Sequence, residues 1–259
     1  MCKVAFQLGN LTIYWYGIFV AAGILAGLWI ASRYARLRGI TAETIIDSGI
    51  WLVISGLIGA RLFYVILNWK TNFANQPFYE VFMIQKGGLV YYGGLLGGIL
   101  GGIIFSKIKK IPILRLLDVL AIGLPVGHFF GRIGCFMNGC CYGKETTLPW
   151  AVHFPSPHET FGKVVHPTEL YEAILNLALF FYLVRYYKKG KPDGSVAACY
   201  LISYGLLRFA VEFLRGDYPP YQLLFGFLTP AQGLSVILIA IGIVLNLKLP
   251  GKVNGQDKK

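Results

Sequence analysis

Apolar residues fall in runs long enough to cross a bilayer, and polar residues gather between them. A helix needs about 20 apolar residues to span the hydrocarbon core. Seven stretches meet this to within a few residues: 12–31, 46–67, 88–105, 116–136, 168–184, 196–214 and 229–247. The longest connection, 137–165, carries Pro149, Pro155 and Pro157. Open strands would leave backbone groups unsatisfied in lipid, so the runs should be helices. The pattern predicts an all-α membrane protein with seven transmembrane helices. Residues 1–259 form a single polytopic domain in this reading, with 137–165 as an extracytoplasmic loop region and no internal repeat.

Composition agrees. The chain is 56% hydrophobic and only 14% charged, against roughly 25% charged residues in soluble domains. A net charge of +12 raises the question of nucleic acid. The basic residues, however, sit in short clusters between apolar runs, with no basic stripe interleaved with aromatics, so no nucleic-acid partner is expected. Fifteen of the 24 Lys/Arg lie on segments 32–45, 106–117, 185–195 and 248–259, against six on the alternate connections. The positive-inside rule then places the N-terminus outside and the C-terminus in the cytoplasm. Lys3 alone precedes the first run, and Arg33, Arg36 and Arg38 follow it. That is the reverse of a cleavable signal, so the first run reads as a retained span. No apolar segment precedes Cys2, so the start is not a lipobox.

Three arginines remain, each inside an apolar stretch: Arg61, Arg132 and Arg208. At mid-depth each would cost about 2.5–3.5 kcal/mol if it faced lipid. A single one reads as readily as a structural ion pair or a snorkelling side chain as it does as a functional group. Three in one small bundle, with Asp118, Glu169, Glu172 and Glu212, point to a polar cavity. In RFAVEFLR, Arg208, Glu212 and Arg215 share one helix face at i, i+4 and i+7, so Glu212 can tether both arginines. The planar guanidinium fork suits phosphate oxygens and stays charged at any relevant pH. A cavity holding Arg132 and Arg208 suits a phosphate-bearing lipid, with a purely structural Arg–Glu–Arg triad as the alternative.

HPTELYEA (166–173) opens the fifth run, with proline in the first helical turn. His166, Glu169 and Glu172 match no zinc spacing well and read as a polar hub that orients the arginines. In GGLVYYGGLLGGILGG (87–102) the glycines suit close helix packing; Tyr91 and Tyr92 between glycine pairs are not explained by packing. GRIGCFMNGCCYG (131–143) adds Cys135, Cys140 and Cys141. CxxxxCC is neither a CxxC redox pair nor a tidy zinc set. The cysteines read as structural or incidental, with a disulfide and then a metal site as alternatives.

Together these motifs resemble the prolipoprotein diacylglyceryl transferase family. GRIGCFMNGCCYG is similar to its GRxGNFxNGExxG signature, HPTELYEA to HPxQLYE, and RFAVEFLR to RFxxEFxR. WYG (15–17), GARLFYV (59–65) and GGLVYYGG (87–94) resemble earlier blocks, so the likeness runs from about Tyr14 to Gln232. The resemblance implies a bacterial inner-membrane enzyme. It would transfer diacylglyceryl from phosphatidylglycerol to the lipobox cysteine of a preprolipoprotein, forming a thioether and releasing glycerol 1-phosphate. It implies Arg132, Arg208 and Tyr92 as catalytic candidates. The substrate-binding candidates are Tyr16, Arg61, Arg132, Asn138, Gly143, His166, Glu169, Glu172, Glu212 and Arg215. The expected partners are phosphatidylglycerol, the lipobox peptide and membrane lipids, with no cofactor or metal.

This chain departs from the family pattern in the signature, where Cys135 and Cys140 replace Asn and Glu. In the third-run block, Tyr92 stands where some members carry a histidine proposed as general base. Either that side chain is not the base here, or Tyr92 serves, or the chain is a diverged paralogue. Rival readings are an anion or phospholipid transporter built on the same arginines and a membrane thiol oxidoreductase built on the cysteines.

Overall fold

The structure is a computed structural model, and it describes residues 4–9, 11–74, 76–84, 87–156, 158–217 and 227–249. Seven long helices form among these residues. They are α1 (Trp15–Ala35), α2 (Ala42–Leu67), α3 (Tyr91–Ile108), α4 (Ile113–Asn138), α5 (Thr168–Tyr187), α6 (Ser195–Glu212) and α7 (Pro230–Lys248). Each overlaps one of the apolar runs. Six are long and apolar enough to cross a membrane. The exception is α5, whose charged Glu169, Glu172 and Arg185 and polar Asn176 dilute its apolar face.

Two small antiparallel pairs qualify the all-α expectation. β1 (Val4–Leu8) pairs with β2 (Leu11–Tyr14), and β3 (Val152–His153) with β4 (Val164–Val165). The second pair lies in the 137–165 region, over a small core of Tyr142, Phe154 and Val165.

The helices divide into two compact units, residues 35–116 and residues 1–34 with 117–259. In the first unit α2 and α3 touch through glycine. A methyl on Gly59 would stand 2.4 Å from the Gly93 carbonyl and 2.8 Å from Gly97 Cα. Only hydrogen fits there, which explains the glycine run as backbone-to-backbone packing. α2 begins where Thr41 Oγ1 accepts the Thr44 N–H at 3.2 Å.

In the larger unit α1 and α4 meet the same way. A methyl on Gly27 would stand 2.9 Å from the Gly123 carbonyl. α6 starts at Gly194 with no cap from its own chain neighbours. Instead the Asp118 carboxylate of α4 accepts three backbone N–H bonds, from Gly194 (2.9 Å), Val196 (3.0 Å) and Ala197 (2.8 Å). A fully buried carboxylate is tolerable there because it meets the positive end of the α6 dipole and its unpaired amides. α7 opens on a capping box, Thr229 with Gln232, followed by Pro230.

Candidate active site

The centre of the larger unit is one carboxylate shared by two arginines. Glu172, on the second turn of α5, is 1% exposed. Its Oε1 lies 2.8 Å from Arg132 Nη2 of α4, and its Oε2 lies 3.6 Å from Arg208 Nη1 of α6. Arg208 also pairs with Glu212 one turn on, at 2.5 Å. Glu212 in turn accepts the Thr229 hydroxyl at 2.7 Å, which ties the start of α7 to the cluster. The Glu172 carbonyl accepts Asn176 Nδ2 at 2.8 Å, fixing α5 at this depth.

These are charge pairs by distance rather than fully formed hydrogen bonds. Arg208 Nη1, Glu172 Oε1 and Glu212 Oε2 make no hydrogen bond of good geometry among the described residues. Both oxygens of Glu169, itself 1% exposed, are likewise unpartnered. Native proteins leave few buried polar atoms unsatisfied, and here several gather in one place. The cluster has spare donors and acceptors for a polar ligand.

The sequence-predicted residues separate into three groups. Arg132, Arg208, Glu172 and Glu212 come together as described, and Glu169 stands on the first turn of α5 with them. A second group holds the backbone around the cluster. The Gly143 N–H donates to His166 O at 2.9 Å, and a methyl on Gly143 would stand 2.5 Å from His166 Cβ and 2.8 Å from Leu214 O. Glycine is required because three backbone segments cross there. The His166 ring meets Tyr171. Its Nδ1 faces the Tyr171 hydroxyl at 3.2 Å, and that hydroxyl accepts Trp150 Nε1 at 2.7 Å. Asn138 ends α4. Tyr16, 46% exposed on the first turn of α1, lies beside Gly134.

Arg215 differs from expectation. α6 ends at Glu212, so Arg215 leaves the helix face and is not carried round to i+7. Its Nε and Nη2 both donate to Asp217, each at 2.7 Å, and its backbone bridges to Gly143. Burial disfavours its charge, but the bidentate Asp217 more than restores it, holding the guanidinium above its ordinary value. Asp118 also departs from the expected cavity. It lies fourteen residues before Arg132 on α4, about 21 Å along the axis, and serves as the cap on α6.

The third group belongs to the smaller unit. Arg61 is 7% exposed and spends its donors on backbone. Nε bonds Val81 O (2.7 Å), Nη2 bonds Glu80 O (2.7 Å), and Nη1 bonds Gly87 O (2.7 Å) and Gly88 O (3.2 Å). It stitches the α2–α3 connection onto α2. Tyr92, on the first turn of α3, is exposed, its ring edge-on to Tyr91.

Sequence reading missed His128, one turn before Arg132 on the same face of α4. Its Nε2 lies 3.2 Å from the Tyr200 hydroxyl, and its ring packs 4.6 Å from Tyr204. The i, i+4 spacing to Arg132 was the available signal. Cys135, Cys140 and Cys141 are free and cluster at the C-terminal end of α4, without the disulfide weighed as an alternative. A cavity of about 480 Å3 opens in the loop region, lined among others by Tyr142, Gly143, Lys144, Glu159, Lys163 and Gly216.

Comparison with known proteins identifies the family. The profile of the prolipoprotein diacylglyceryl transferases matches residues 3–248. The chain belongs to that family. It is 34% identical over 260 residues to the phosphatidylglycerol–prolipoprotein diacylglyceryl transferase of Finegoldia magna, covering 100% of both chains. The protein of the same name from Clostridioides difficile is 38% identical over 252 residues, 97% of each chain. That from Clostridium tetani is 37% identical over 244 residues, 94% of this chain and 96% of its own. In this chain the shared carboxylate, its two arginines and the Gly143 crossing come from three motifs far apart in sequence.

Proposed function

We propose that this chain is a diacylglyceryl transferase that moves the diacylglyceryl group of phosphatidylglycerol onto the lipobox cysteine of a preprolipoprotein, releasing glycerol 1-phosphate. Glu172, shared by Arg132 and Arg208, carries the reading. The carboxylate aims both guanidinium groups at one place, and the incompletely hydrogen-bonded Arg208 keeps a donor for a phosphate. The thiol attacks the glyceryl carbon while the C–O bond to phosphate breaks, so negative charge grows on the departing glycerol phosphate. Donors preorganised for that charge in a water-poor site are worth roughly 3–4 kcal/mol each. Glu212 and Thr229 hold Arg208, Gly143 and Arg215 hold the connection beneath it, and His166 orders that crossing through its carbonyl. Glu169, with two unpartnered oxygens, suits the hydroxyls of the glycerol headgroup. Tyr16 and Asn138 line the α4 end, and Tyr92 is the third catalytic candidate. Arg61 orders the α2–α3 connection of its own unit.

In this reading all seven helices span the bacterial inner membrane as one polytopic domain, α5 included, because Glu169 and Glu172 are buried against protein and Arg185 stands in its last turn. The N-terminus and the 137–165 region lie outside and the C-terminus inside, following the Lys/Arg asymmetry. The test is purified protein with phosphatidylglycerol vesicles and a lipobox peptide. The expected result is a thioether-linked peptide and an equal amount of glycerol phosphate. Lipid movement without either product would favour a transporter instead.

A further inference from the structure

Cys135, Cys140 and Cys141 are partly buried, and their sulfurs all lie within 4.8 Å of one another. The spacing CxxxxCC resembles no common zinc pattern, so proximity comes from the turn. Cys135 is in the last turn of α4, and Gly139, at φ 69°, reverses the chain so that the Cys140 N–H meets Cys135 O at 3.2 Å. Cys141 itself adopts φ 74°, a region unusual for a residue with a Cβ. Its carbonyl is pinned by Thr168 Oγ1 of α5 at 2.7 Å.

We propose that these three thiols form a binding site for a soft divalent cation of the zinc class, whose fourth position receives the acceptor thiol. The Zn–S distance of about 2.3 Å places three tetrahedral thiolates about 3.8 Å apart, a spacing close to the 4.8 Å within which the three sulfurs already lie. Three thiolates on a divalent ion leave one negative charge, and Arg132 stands at i−3 from Cys135 on the same helix to offset it. The neighbouring imidazole does not complete the shell. His158 Nε2 is 2.7 Å from Gly139 O, and Nδ1 is 2.8 Å from Thr160 Oγ1. Three protein ligands with one exchangeable position is the arrangement of catalytic rather than structural zinc.

What fills the fourth position rests on the transferase reading; the metal site does not. On coordination the acceptor S–H gives its proton to solvent, because a metal-bound thiol is deprotonated outright. The sulfur lone pair then forms the S–C bond, and the C–O bonding pair leaves with glycerol phosphate. Nothing is oxidised or reduced. A thiol whose ordinary pKa is about 8.5 thereby becomes a nucleophile without a strong base, which suits a chain with Tyr92 in the third-helix block.

The experiment titrates the reduced, full-length protein in detergent with Cd2+ alone and follows the thiolate-to-metal charge-transfer band. The expected result is a band that saturates at one ion per chain, is displaced by Zn2+ and is lost in Cys135→Ser/Cys140→Ser/Cys141→Ser, which retains Cys2 and Cys199. No band in the folded, reduced protein, or an unchanged band in the triple variant, overturns the site. So does a disulfide among the three trapped by alkylation directly in cells. Adding a cysteine lipobox peptide should strengthen the band, and its serine counterpart should not. An unchanged spectrum with the cysteine peptide overturns the fourth-position assignment alone. Loaded protein that binds cadmium yet makes no thioether from phosphatidylglycerol sinks the transferase reading and leaves the metal site standing.

Discussion

Arg61 and Arg208 are both arginines embedded in apolar helices, and the structure uses them in opposite ways. Arg61 donates to four backbone carbonyls and has its charge spread over a loop it holds in place. Arg208 faces two carboxylates, Glu172 and Glu212, and keeps an Nη1 without a well-formed hydrogen bond. A fully satisfied arginine is a staple. An arginine paired by charge but short of hydrogen bonds is available to a ligand. Intramembrane charge alone therefore does not mark a site; the accounting of its donors does.

The comparison breaks first at Glu172. Glu172→Gln removes the charge that Arg132 and Arg208 share. Breaking a buried pair costs about 3–5 kcal/mol, so a marked drop in thermal midpoint and a transfer rate down at least about a hundredfold are expected. Wild-type midpoint and rate in Glu172→Gln would mean that the carboxylate does not organise the arginines.

A smaller effect is expected at Arg61. Lysine cannot cover carbonyls spread over Glu80, Val81, Gly87 and Gly88, and an unmet buried acceptor costs about 1–3 kcal/mol. Arg61→Lys should lower the thermal midpoint while the rate per folded molecule stays within about threefold of wild type. A rate loss beyond the loss of folded protein would move Arg61 into the site. The four carbonyls explain why stability should suffer.

The smallest is at Asp118. Asp118→Asn keeps one acceptor for three N–H groups and loses the charge opposite the α6 dipole, worth about 1–2 kcal/mol. Hydrogen exchange should rise at Gly194, Val196 and Ala197 with little change in rate. Unchanged exchange there would show that the carboxylate is not the cap.

Much of this was legible in the chain because bilayer length is a coarse ruler. All seven helices overlap the apolar runs. The ends were less so: α1 continues through Arg33 to Ala35, past the end of its apolar run, and α2 begins at the Thr41 cap, ahead of its apolar run. The β1–β2 hairpin was missed although VAFQL-GN-LTIY has the two-residue turn signal. Glu172 as the shared partner was not readable, since it joins helices whose residues lie 40 and 36 positions away. The Asp118 cap, 76 positions from Gly194, was hidden for the same reason. Arg215 was misplaced because helical spacing was carried three residues beyond the true end of α6.

The central claim is that the forks of Arg132 and Arg208, not merely their charges, recognise the phosphate. Arg132→Lys and Arg208→Lys test it with turnover of phosphatidylglycerol, each variant compared with wild type at equal folded concentration. Lysine keeps the charge and loses the planar donors. The account predicts that each variant folds and that each loses about a hundredfold or more in transfer rate. Near wild-type turnover in both would contradict it and leave the two arginines as counter-ions of Glu172 and Glu212.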